Sequence, residues 1–352
     1  MSKLTDDYGT FVSKLQRIAA ERCQPLSGTF ELTGRCNHAC SMCYISRPVS
    51  DSAAIVRELS ADIWIEIARQ AKDEGMLFLL LTGGEIFVLP DFFEIYRPLT
   101  GMGFLISLYT NATLVTDSIA DKLAETPPHR IEVSLYGANT RTYETVTRVL
   151  GSFKRCMKGI EALVKRDINV GLKATITRQN VDELDAMQKM ARHWGLPFTA
   201  SWLLTRRADG MPSEIEECRL TPSEAIAIEA SDPYAVEEWC GGGVVSKTDN
   251  FYCQAGRASF VIDFTGAMNV CSDFPAPGAK VPDIGFRKAW EELRRFVEGA
   301  PKLSAECLDC DVIKYCAICP AWSYLENGKM AGSVDYLCSI AHERKKRYES
   351  QK

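Results

Sequence analysis

The stretch that decides the fold is TFELTGRCNHACSMCYISRP, residues 29–48. Its opening, TFELTG, predicts a β-strand. Three cysteines follow the strand directly, at Cys36, Cys40 and Cys43. Three is an odd number for disulfides and one short of a closed tetrahedral zinc site. The identity of the missing partner is therefore the first question that the sequence raises.

The composition excludes several classes of protein. The chain has 352 residues, which predicts about two domains, and its net charge of −5 argues against a generic nucleic-acid binder. The most apolar run, Met76–Leu81, is too short to span a bilayer, and the polar first residues do not resemble a signal peptide. We therefore expect a cytoplasmic protein without a membrane or nucleic-acid partner. The basic end, residues 342–352, is predicted to be a solvated last helix.

Fourteen cysteines are unusual for a chain of this kind. Because the cytosol keeps thiols reduced, such cysteines are more often metal ligands or catalytic groups than disulfides. Three lie in residues 36–43 and seven between residues 253 and 338. Of the other four, we expect Cys23, Cys156 and Cys218 to be small buried apolar residues.

Strands and helices are predicted to alternate from Thr29 to Leu204, in six β/α units. Such alternation implies a parallel sheet, as an open doubly wound sheet or a partial barrel, and periodicity does not separate the two. The second strand, MLFLLLTGG, is predicted to be covered on both faces. Asn180 and Glu183 are spaced as a helix capping box. Beyond residue 204 we predict a linker with a Gly-rich turn at residues 239–250, two short strands, a helix at 286–297 and cysteine-dense loops held by metal.

The position of the three-cysteine loop indicates a functional metal centre. Functional residues of parallel α/β folds gather at the carboxyl ends of strands, where this loop lies. Zinc would need a fourth ligand, for which His38 is a candidate. An iron–sulfur cluster normally takes four cysteines, so three would leave one iron open. A structural zinc site and three unrelated thiols remain the alternatives.

The octapeptide CNHACSMC, followed by Tyr44, resembles the CxxxCxxC signature of radical S-adenosylmethionine enzymes. The resemblance implies a partial (β/α)6 barrel and a [4Fe–4S] cluster on Cys36, Cys40 and Cys43, whose fourth iron binds S-adenosylmethionine. In that family the reduced cluster cleaves the cofactor to methionine and a 5′-deoxyadenosyl radical, which abstracts hydrogen from a substrate. It also implies an external electron donor of flavodoxin or ferredoxin type.

Further matches fall at the ends of the next strands. LTGGE, residues 81–85, resembles the family's GGE motif, whose backbone contacts the methionine amino group, and we expect its glycines to allow close approach to this ligand. Asn111 and Ser134 end the third and fourth strands. Arg148 matches an arginine that pairs with the cofactor carboxylate. The cofactor-binding residues implied by the resemblance are Tyr44, Gly83, Gly84, Glu85, Asn111, Ser134 and Arg148.

The seven later cysteines resemble the SPASM extension of the same enzymes. Their pattern is Cys253-x12-Gly266-x4-Cys271, then Cys307-x2-Cys310-x5-Cys316-x2-Cys319, then Cys338, with a last spacer of two residues where the family has three. The resemblance implies two auxiliary [4Fe–4S] clusters, and zinc-ribbon-like sites are the alternative. The near cluster would use Cys253, Cys271 and Cys319, with either Cys240 or a substrate thiolate as its fourth ligand. The distal cluster would use Cys307, Cys310, Cys316 and Cys338.

This resemblance also implies the domain organisation. We expect an N-terminal helical extension at 1–26, a radical S-adenosylmethionine barrel at 27–205, a linker at 206–250, a SPASM domain at 251–340 and a tail at 341–352. SPASM enzymes mostly modify peptides, and the barrel sequence is most similar to thioether-forming maturases of ribosomal peptides. A peptide substrate follows, with leader recognition by a separate protein or by another surface of this chain.

Other functions stay open at this point. They are a formylglycine-type or quinone-cofactor maturase, a carbohydrate dehydrogenase or epimerase, and an iron–sulfur electron-transfer or scaffold protein without catalysis. Asp273 is a candidate general base, although the formylglycine-type enzymes carry theirs one position nearer the cysteine.

Overall fold

The computed structural model describes residues 2–45, 47–211, 213–241, 243, 251 and 253–349, with side chains from residue 8 onward. Most of the predicted turn at residues 239–250 lies outside the described residues. One sheet contains nine strands: Ser27–Thr33 (β1), Phe78–Gly83 (β2), Leu105–Thr110 (β3), Arg130–Ser134 (β4), Val170–Thr175 (β5), Phe198–Ser201 (β6), Ser259–Ile262 (β7), Ala267–Cys271 (β8) and Phe274–Lys280 (β9).

Helices alternate with the first six strands and then cover the C-terminal part of the sheet. Within the ranges given above, no helix combines the length and the apolar character needed to cross a membrane. The α-helices are Ser2–Glu21 (α1), Ser52–Arg57 (α2), Ala61–Asp73 (α3), Phe92–Gly101 (α4), Asp117–Glu125 (α5), Thr140–Thr147 (α6), Ser152–Val164 (α7), Leu184–His193 (α8), Ile215–Cys218 (α9), Pro222–Glu229 (α10), Pro233–Gly241 (α11), Val281–Ile284 (α12), Phe286–Glu298 (α13), Ala305–Leu308 (α14), Pro320–Asn327 (α15) and Asp335–Glu349 (α16).

The sheet runs in the order β9-β8-β7-β1-β2-β3-β4-β5-β6, and β1 to β6 are parallel. On its second edge β1 pairs with β7 and not with β6, so the six strands do not close on themselves. The six strands also follow one another in sequence order, without the reversal of a doubly wound sheet, so the expected partial (β/α)6 barrel is confirmed. The helices that connect these parallel strands cover the outer face of the sheet, so the apolar residues on that face are buried.

The C-terminal strands continue the barrel sheet. Ser27 of β1 lies opposite Ser259 of β7, and Phe30 lies opposite Ile262, in parallel register. Strands β8 and β9 then add to β7 in antiparallel fashion. The predicted SPASM region at 251–340 thus shares a sheet with the barrel. Strand β9, which the sequence did not predict, contains two prolines and lies at the sheet edge, where a missing N–H is tolerated.

Strand β2 has one covered face and one open face. Leu79 and Leu81 are buried against the helices, whereas Leu80 and Thr82 are half-buried and line a cavity inside the barrel. The prediction that this strand is covered on both faces is therefore wrong, because a partial barrel leaves its interior accessible to a ligand.

The predicted capping box at residues 180–183 does not form. The Asn180 side chain accepts from the Thr177 N–H at 2.8 Å and donates to the Tyr136 carbonyl at 3.2 Å, without capping the helix. Glu183 instead accepts from the Ala138 N–H at 2.6 Å. Both side chains hold the loop after β5 against the loop after β4, a long-range contact that a local sequence pattern cannot reveal.

The basic C-terminal helix, α16, is anchored rather than solvated. Arg344 is 2% exposed and forms a two-pronged ion pair with Glu229 of α10, with nitrogen–oxygen distances of 2.9 and 2.7 Å. Its guanidinium also lies 3.9 Å from the ring centre of Trp239. The prediction of a solvated helix is wrong on this face, and the expected boundary at residue 341 falls within α16.

Candidate functional site

A cavity of about 350 Å³ lies at the carboxyl edge of the barrel strands. The ends of β2 to β5, the three-cysteine loop and the turn between β8 and β9 line it. The predicted site residues that it brings together are Cys36, Cys40, Cys43, Tyr44, Gly83, Gly84, Asn111, Ser134 and Asp273. Residues separated by more than 200 positions thus meet at the edge where parallel folds place their ligands.

The cysteine loop is held by hydrogen bonds to the neighbouring β/α units. The Ala39 N–H donates to the Thr147 carbonyl at 3.0 Å, and the Asn37 amide donates to the Thr113 hydroxyl at 2.8 Å. Burial raises the pKa of the Cys36 thiol to about 12 and that of the Cys40 thiol well above its usual value. Metal binding at this loop would therefore displace protons from the thiols.

The three thiols and the adjoining cavity fit an iron–sulfur cluster with an exogenous ligand. The thiols of Cys36 and Cys40 both interact electrostatically with that of Cys43, so the three lie near one another. A [4Fe–4S] cluster bonds each thiolate to a different iron, so its ligands can be spread along a wall of the cavity. The adjoining volume is also within the range of small-molecule sites. The cysteines and the cavity therefore fit a cluster together with an exogenous ligand.

Gly83 and Gly84 are required by backbone packing. A Cβ on Gly83 would lie 2.2 Å from the Thr33 carbonyl oxygen, and one on Gly84 would lie 2.2 Å from that of Arg35. Gly83 also has a φ of +136°, which disfavours other residues. These glycines therefore allow the turn after β2 to approach the end of β1. The motif led us to expect a close approach to a ligand alone. The approach to β1 brings this turn against the start of the cysteine loop.

The Glu85 side chain is structural and does not line the cavity. It is fully buried and accepts hydrogen bonds from the Thr110 hydroxyl at 2.8 Å, the Asn111 N–H at 2.7 Å and the Phe87 N–H at 3.1 Å. Burial raises its pKa to about 7, although these donors lower it. Glu85 therefore fixes the end of β3, and with it the position of Asn111, whose amide donates to Asn37 in the cysteine loop at 2.9 Å.

Tyr44 connects the cysteine loop to β1. Its hydroxyl donates to the buried Glu31 carboxylate at 2.8 Å, and burial raises the pKa of Glu31 to about 7. Glu31 also contacts Ser272, which follows Cys271 in the C-terminal region. This pair therefore joins the two cysteine-rich parts of the chain, a role that the motif alone did not indicate.

Arg148 lies apart from the other predicted cofactor contacts. It lines a second cavity, of about 530 Å³, which shares the three cysteines of the loop with the first, and it forms an ion pair with Glu214. It does not line the first cavity. The structure therefore does not bring Arg148 to the side of the loop where Gly83, Asn111 and Ser134 meet.

Asp273 does lie in the first cavity. Its carboxylate accepts from the Thr205 hydroxyl at 3.0 Å, and burial raises its pKa. Thr205 follows β6 and Asp273 precedes β9, so this bond joins the two ends of the sheet at the mouth of the open barrel. The cavity thereby gains a half-buried acid that can accept or hold a proton.

Lys173 is a site residue that the sequence analysis missed. It lies on the inner face of β5, opposite Ser134, and is the only Lys or Arg among the described residues that line the first cavity. Its ammonium lies 3.0 Å from the ring centre of Tyr109, and burial lowers its pKa to about 7. A signal was present, because Gly171, Lys173 and Thr175 alternate with the apolar residues of NVGLKATIT.

The seven later cysteines fall into two groups. Burial raises the pKa of Cys271, and Asp273, Cys319 and Cys253 add to the increase. Burial likewise raises the pKa of Cys316 to about 11, with contributions from Cys338 and Cys307. Cysteines whose charges raise one another's pKa thus belong to the same predicted set. Cys240 is half-buried in α11, and residues 244–250, between it and Cys253, are outside the described part.

Known proteins are similar to this chain in sequence. An AdoMet-dependent heme synthase of Methanosarcina barkeri is 27% identical over 335 residues, covering 88% of this chain and 93% of that protein. Mycofactocin maturase MftC of Mycolicibacterium smegmatis is 27% identical over 317 residues, covering 83% of this chain and 77% of the maturase. A PqqA peptide cyclase of Rhizobium meliloti is 30% identical over 167 residues, 47% of this chain and 44% of the cyclase.

The fold likeness extends over most of the chain. The crystal structure of Streptococcus suis SuiB bound to S-adenosylmethionine superposes with a TM-score of 0.69 at 16% identity, covering 89% of this chain and 77% of SuiB. The family model for the Radical SAM superfamily matches residues 30–191, the segment that holds the cysteine loop and β1 to β5. Residues 30–191 of this chain therefore form a domain of the Radical SAM superfamily, a family of enzymes whose cofactors are S-adenosylmethionine and a [4Fe–4S] cluster.

Proposed function

We propose that Cys36, Cys40 and Cys43 hold the catalytic [4Fe–4S] cluster and that S-adenosylmethionine binds beside it in the first cavity. The observation that carries this proposal is the meeting of three thiols, the turn after β2, Asn111 and Ser134 around one volume. When bound, the cluster and cofactor supply a 5′-deoxyadenosyl radical that abstracts hydrogen from the substrate. The chain's own residues bind, orient and shield these groups.

The roles of the individual residues follow from their positions. Carbonyl groups of the turn at Gly83 and Gly84 are suited to accept hydrogen bonds from the cofactor's ammonium group, because the N–H groups of Gly84 and Glu85 already donate to β1. Asn111 and Ser134 are placed to orient the cofactor from the ends of β3 and β4. Asp273 is the candidate base, since it is a half-buried carboxylate lining the same cavity.

The C-terminal cysteines are proposed to hold two auxiliary [4Fe–4S] clusters. Cys253, Cys271 and Cys319 form the near set, and Cys307, Cys310, Cys316 and Cys338 form the distal set. The near set adjoins the cavity, because Ser272 and Asp273 after Cys271 line it. Cys240 is the proposed fourth near ligand, and a substrate thiolate is the alternative.

The proposed substrate is a ribosomally made peptide, matured by a thioether or another crosslink. The relatives named as a maturase and as a peptide cyclase support this class. An external donor of flavodoxin or ferredoxin type supplies electrons, and a separate leader-binding protein is the proposed partner for recognition of the precursor.

Co-expression tests the substrate class. The gene would be expressed with small open reading frames from its own genomic neighbourhood, and the peptides would be weighed by mass spectrometry. Each crosslink should remove two hydrogens, a loss of about 2 Da, and co-expression with the Cys40→Ala variant should leave the mass unchanged. Unmodified peptides alongside abundant 5′-deoxyadenosine would contradict a peptide substrate.

A tetrapyrrole is the second candidate substrate. The reason is the likeness to an AdoMet-dependent heme synthase, which extends over 93% of that protein. Haem accumulation above that of the Cys40→Ala variant in the same co-expressing cells would favour this candidate, and a crosslinked peptide would exclude it as the main activity.

A further inference from the structure

A basic, exposed surface connects α6 to α7. Residues 147–158 contain Arg148, Lys154, Arg155 and Lys158 and no acidic residue, although the whole chain carries a net charge of −5. All four basic residues are exposed, and Leu150 between them is 87% exposed. Arg155 donates to the Leu150 carbonyl at 3.4 Å, which keeps it beside the leucine. We define Arg148, Leu150, Lys154 and Arg155 as the basic patch.

The basic patch lies directly over the cysteine loop. The Thr147 carbonyl, next to Arg148, accepts from the Ala39 N–H between Cys36 and Cys40. Val146 of α6 packs in one buried cluster with Met42 of the loop. The patch and the loop therefore form one packed unit.

The second cavity joins the patch to the thiols. It has a volume of about 530 Å³ and is lined by Arg148 and Val149 on one side and by Cys36, Cys40 and Cys43 on the other. Neither Arg148 nor Val149 lines the first cavity, in which substrate and cofactor are proposed to bind. The patch therefore adjoins the thiols without forming part of the proposed substrate cavity.

We propose that the basic patch docks a small acidic electron-transfer protein of ferredoxin or flavodoxin type, which delivers one electron to the cluster on Cys36, Cys40 and Cys43. This inference rests on the proposed function and names a partner's contact surface for the same site. In the transfer the donor loses one electron and the cluster gains it, with no bond formed or broken. That electron is then used in the cleavage of S-adenosylmethionine to methionine and a 5′-deoxyadenosyl radical.

Charge complementarity selects this occupant. An acidic protein is repelled by the net charge of the chain and attracted by the patch, which steers its approach and fixes its orientation. The exposed Leu150 supplies the apolar centre that a small transient interface needs within a charged rim. Arg148 also pairs with Glu214, so the attraction depends mainly on Lys154 and Arg155.

The test compares two reductants on the reconstituted holoenzyme under anaerobic conditions. The variants are Lys154→Glu/Arg155→Glu and Leu150→Ser, and the control is Lys288→Glu, an exposed lysine in the first turn of α13. The formation of 5′-deoxyadenosine from S-adenosylmethionine is followed with a reduced acidic [2Fe–2S] ferredoxin and, separately, with excess dithionite. Dithionite is small and does not need a docking surface.

We expect the double charge reversal to weaken binding of the oxidised ferredoxin, measured by calorimetry, and to slow the ferredoxin-driven reaction at least tenfold. Leu150→Ser should slow that reaction less, and the dithionite-driven rates should match the parent. The parent's ferredoxin-driven rate should also fall as salt is added. The docking assignment would be overturned if the parent and all variants had equal ferredoxin-driven rates. It would also be overturned if a variant lost rate equally with ferredoxin and with dithionite. A parent that cleaves nothing with dithionite would instead overturn the proposed function itself.

Discussion

Gly84 lies where the turn after β2 packs tightly against the chain just after β1, at the candidate site. Because a Cβ there would lie 2.2 Å from the Arg35 carbonyl, Gly84→Ala must push the end of β1 away from β2 and displace the adjoining Cys36. We expect reconstituted Gly84→Ala protein to bind less iron and to cleave S-adenosylmethionine at least about tenfold more slowly, a cost of about 1.4 kcal/mol in the barrier.

Gly101→Ala is the matched control, because a Cβ at this helical glycine meets nothing within 4 Å. Iron content and 5′-deoxyadenosine formation should match the parent in this variant. Parent-like values in Gly84→Ala as well would show that the two strand ends can separate without harm to the site.

Lys173 predicts a pH dependence of stability. Burial lowers its pKa from 10.5 to about 7, beside Tyr109 and the Glu132 carboxylate. Between these pH values the unfolded chain binds more protons than the folded one, so this residue makes the free energy of unfolding rise with pH. The free energy of unfolding of Lys173→Met should therefore exceed that of the parent near pH 7. This difference between the two proteins should shrink toward pH 10, by at most about 1.4 kcal/mol for each pH unit.

Thermal denaturation of both proteins from pH 7 to 10 measures this difference. Lys72→Met, at an exposed position of α3, controls for the loss of a charge. A stability difference that stays constant or grows with pH would contradict the environment described for Lys173.

At the scale of elements, α16 is the most specific anchor of the C-terminal region. It carries Cys338 and, through Arg344, binds both Glu229 and the Tyr315 carbonyl next to Cys316. Arg344→Ala would leave the buried Glu229 carboxylate unpaired, and we expect it to lower the free energy of unfolding by about 3–5 kcal/mol. The protein should also lose iron from the distal set of cysteines.

Lys345→Ala, one residue further on, removes an exposed pair with Asp311 and should change little. Chemical denaturation together with iron analysis distinguishes the two variants. Similar losses of stability and of iron in both variants would mean that the buried ion pair does not anchor α16.

Local patterns predicted most of the elements but not their long-range partners. The helix over Asp117–Glu125 and the strands β1 to β6 follow from periodicity, because each is decided by neighbouring residues. Asn180 and Glu183 fit a local capping pattern and yet bind residues of the preceding β/α unit. Long-range hydrogen bonds of this kind leave no periodic signal.

At the scale of the whole molecule, one sheet unites the barrel and the cysteine-rich region. Strand β7 pairs with β1, although more than 200 residues separate them, and Thr205 meets Asp273 across the open side of the barrel. The cysteine motifs predict which residues hold the clusters, because ligand spacing is local. Glu31 and Lys173 escaped notice, since a polar residue in a strand acquires a role only when the barrel turns that face toward the cavity.

The three-cysteine loop is proposed to hold the cluster that cleaves S-adenosylmethionine. The most direct measurement is 5′-deoxyadenosine formation by the anaerobically reconstituted chain with dithionite, compared with the Cys36→Ala/Cys40→Ala/Cys43→Ala variant. We expect steady cleavage of S-adenosylmethionine by the parent and none by the variant. The variant should also lose about four irons and keep those bound by the later cysteines. Cleavage that survives in the variant, or an iron-loaded parent that forms no 5′-deoxyadenosine, would contradict this proposal.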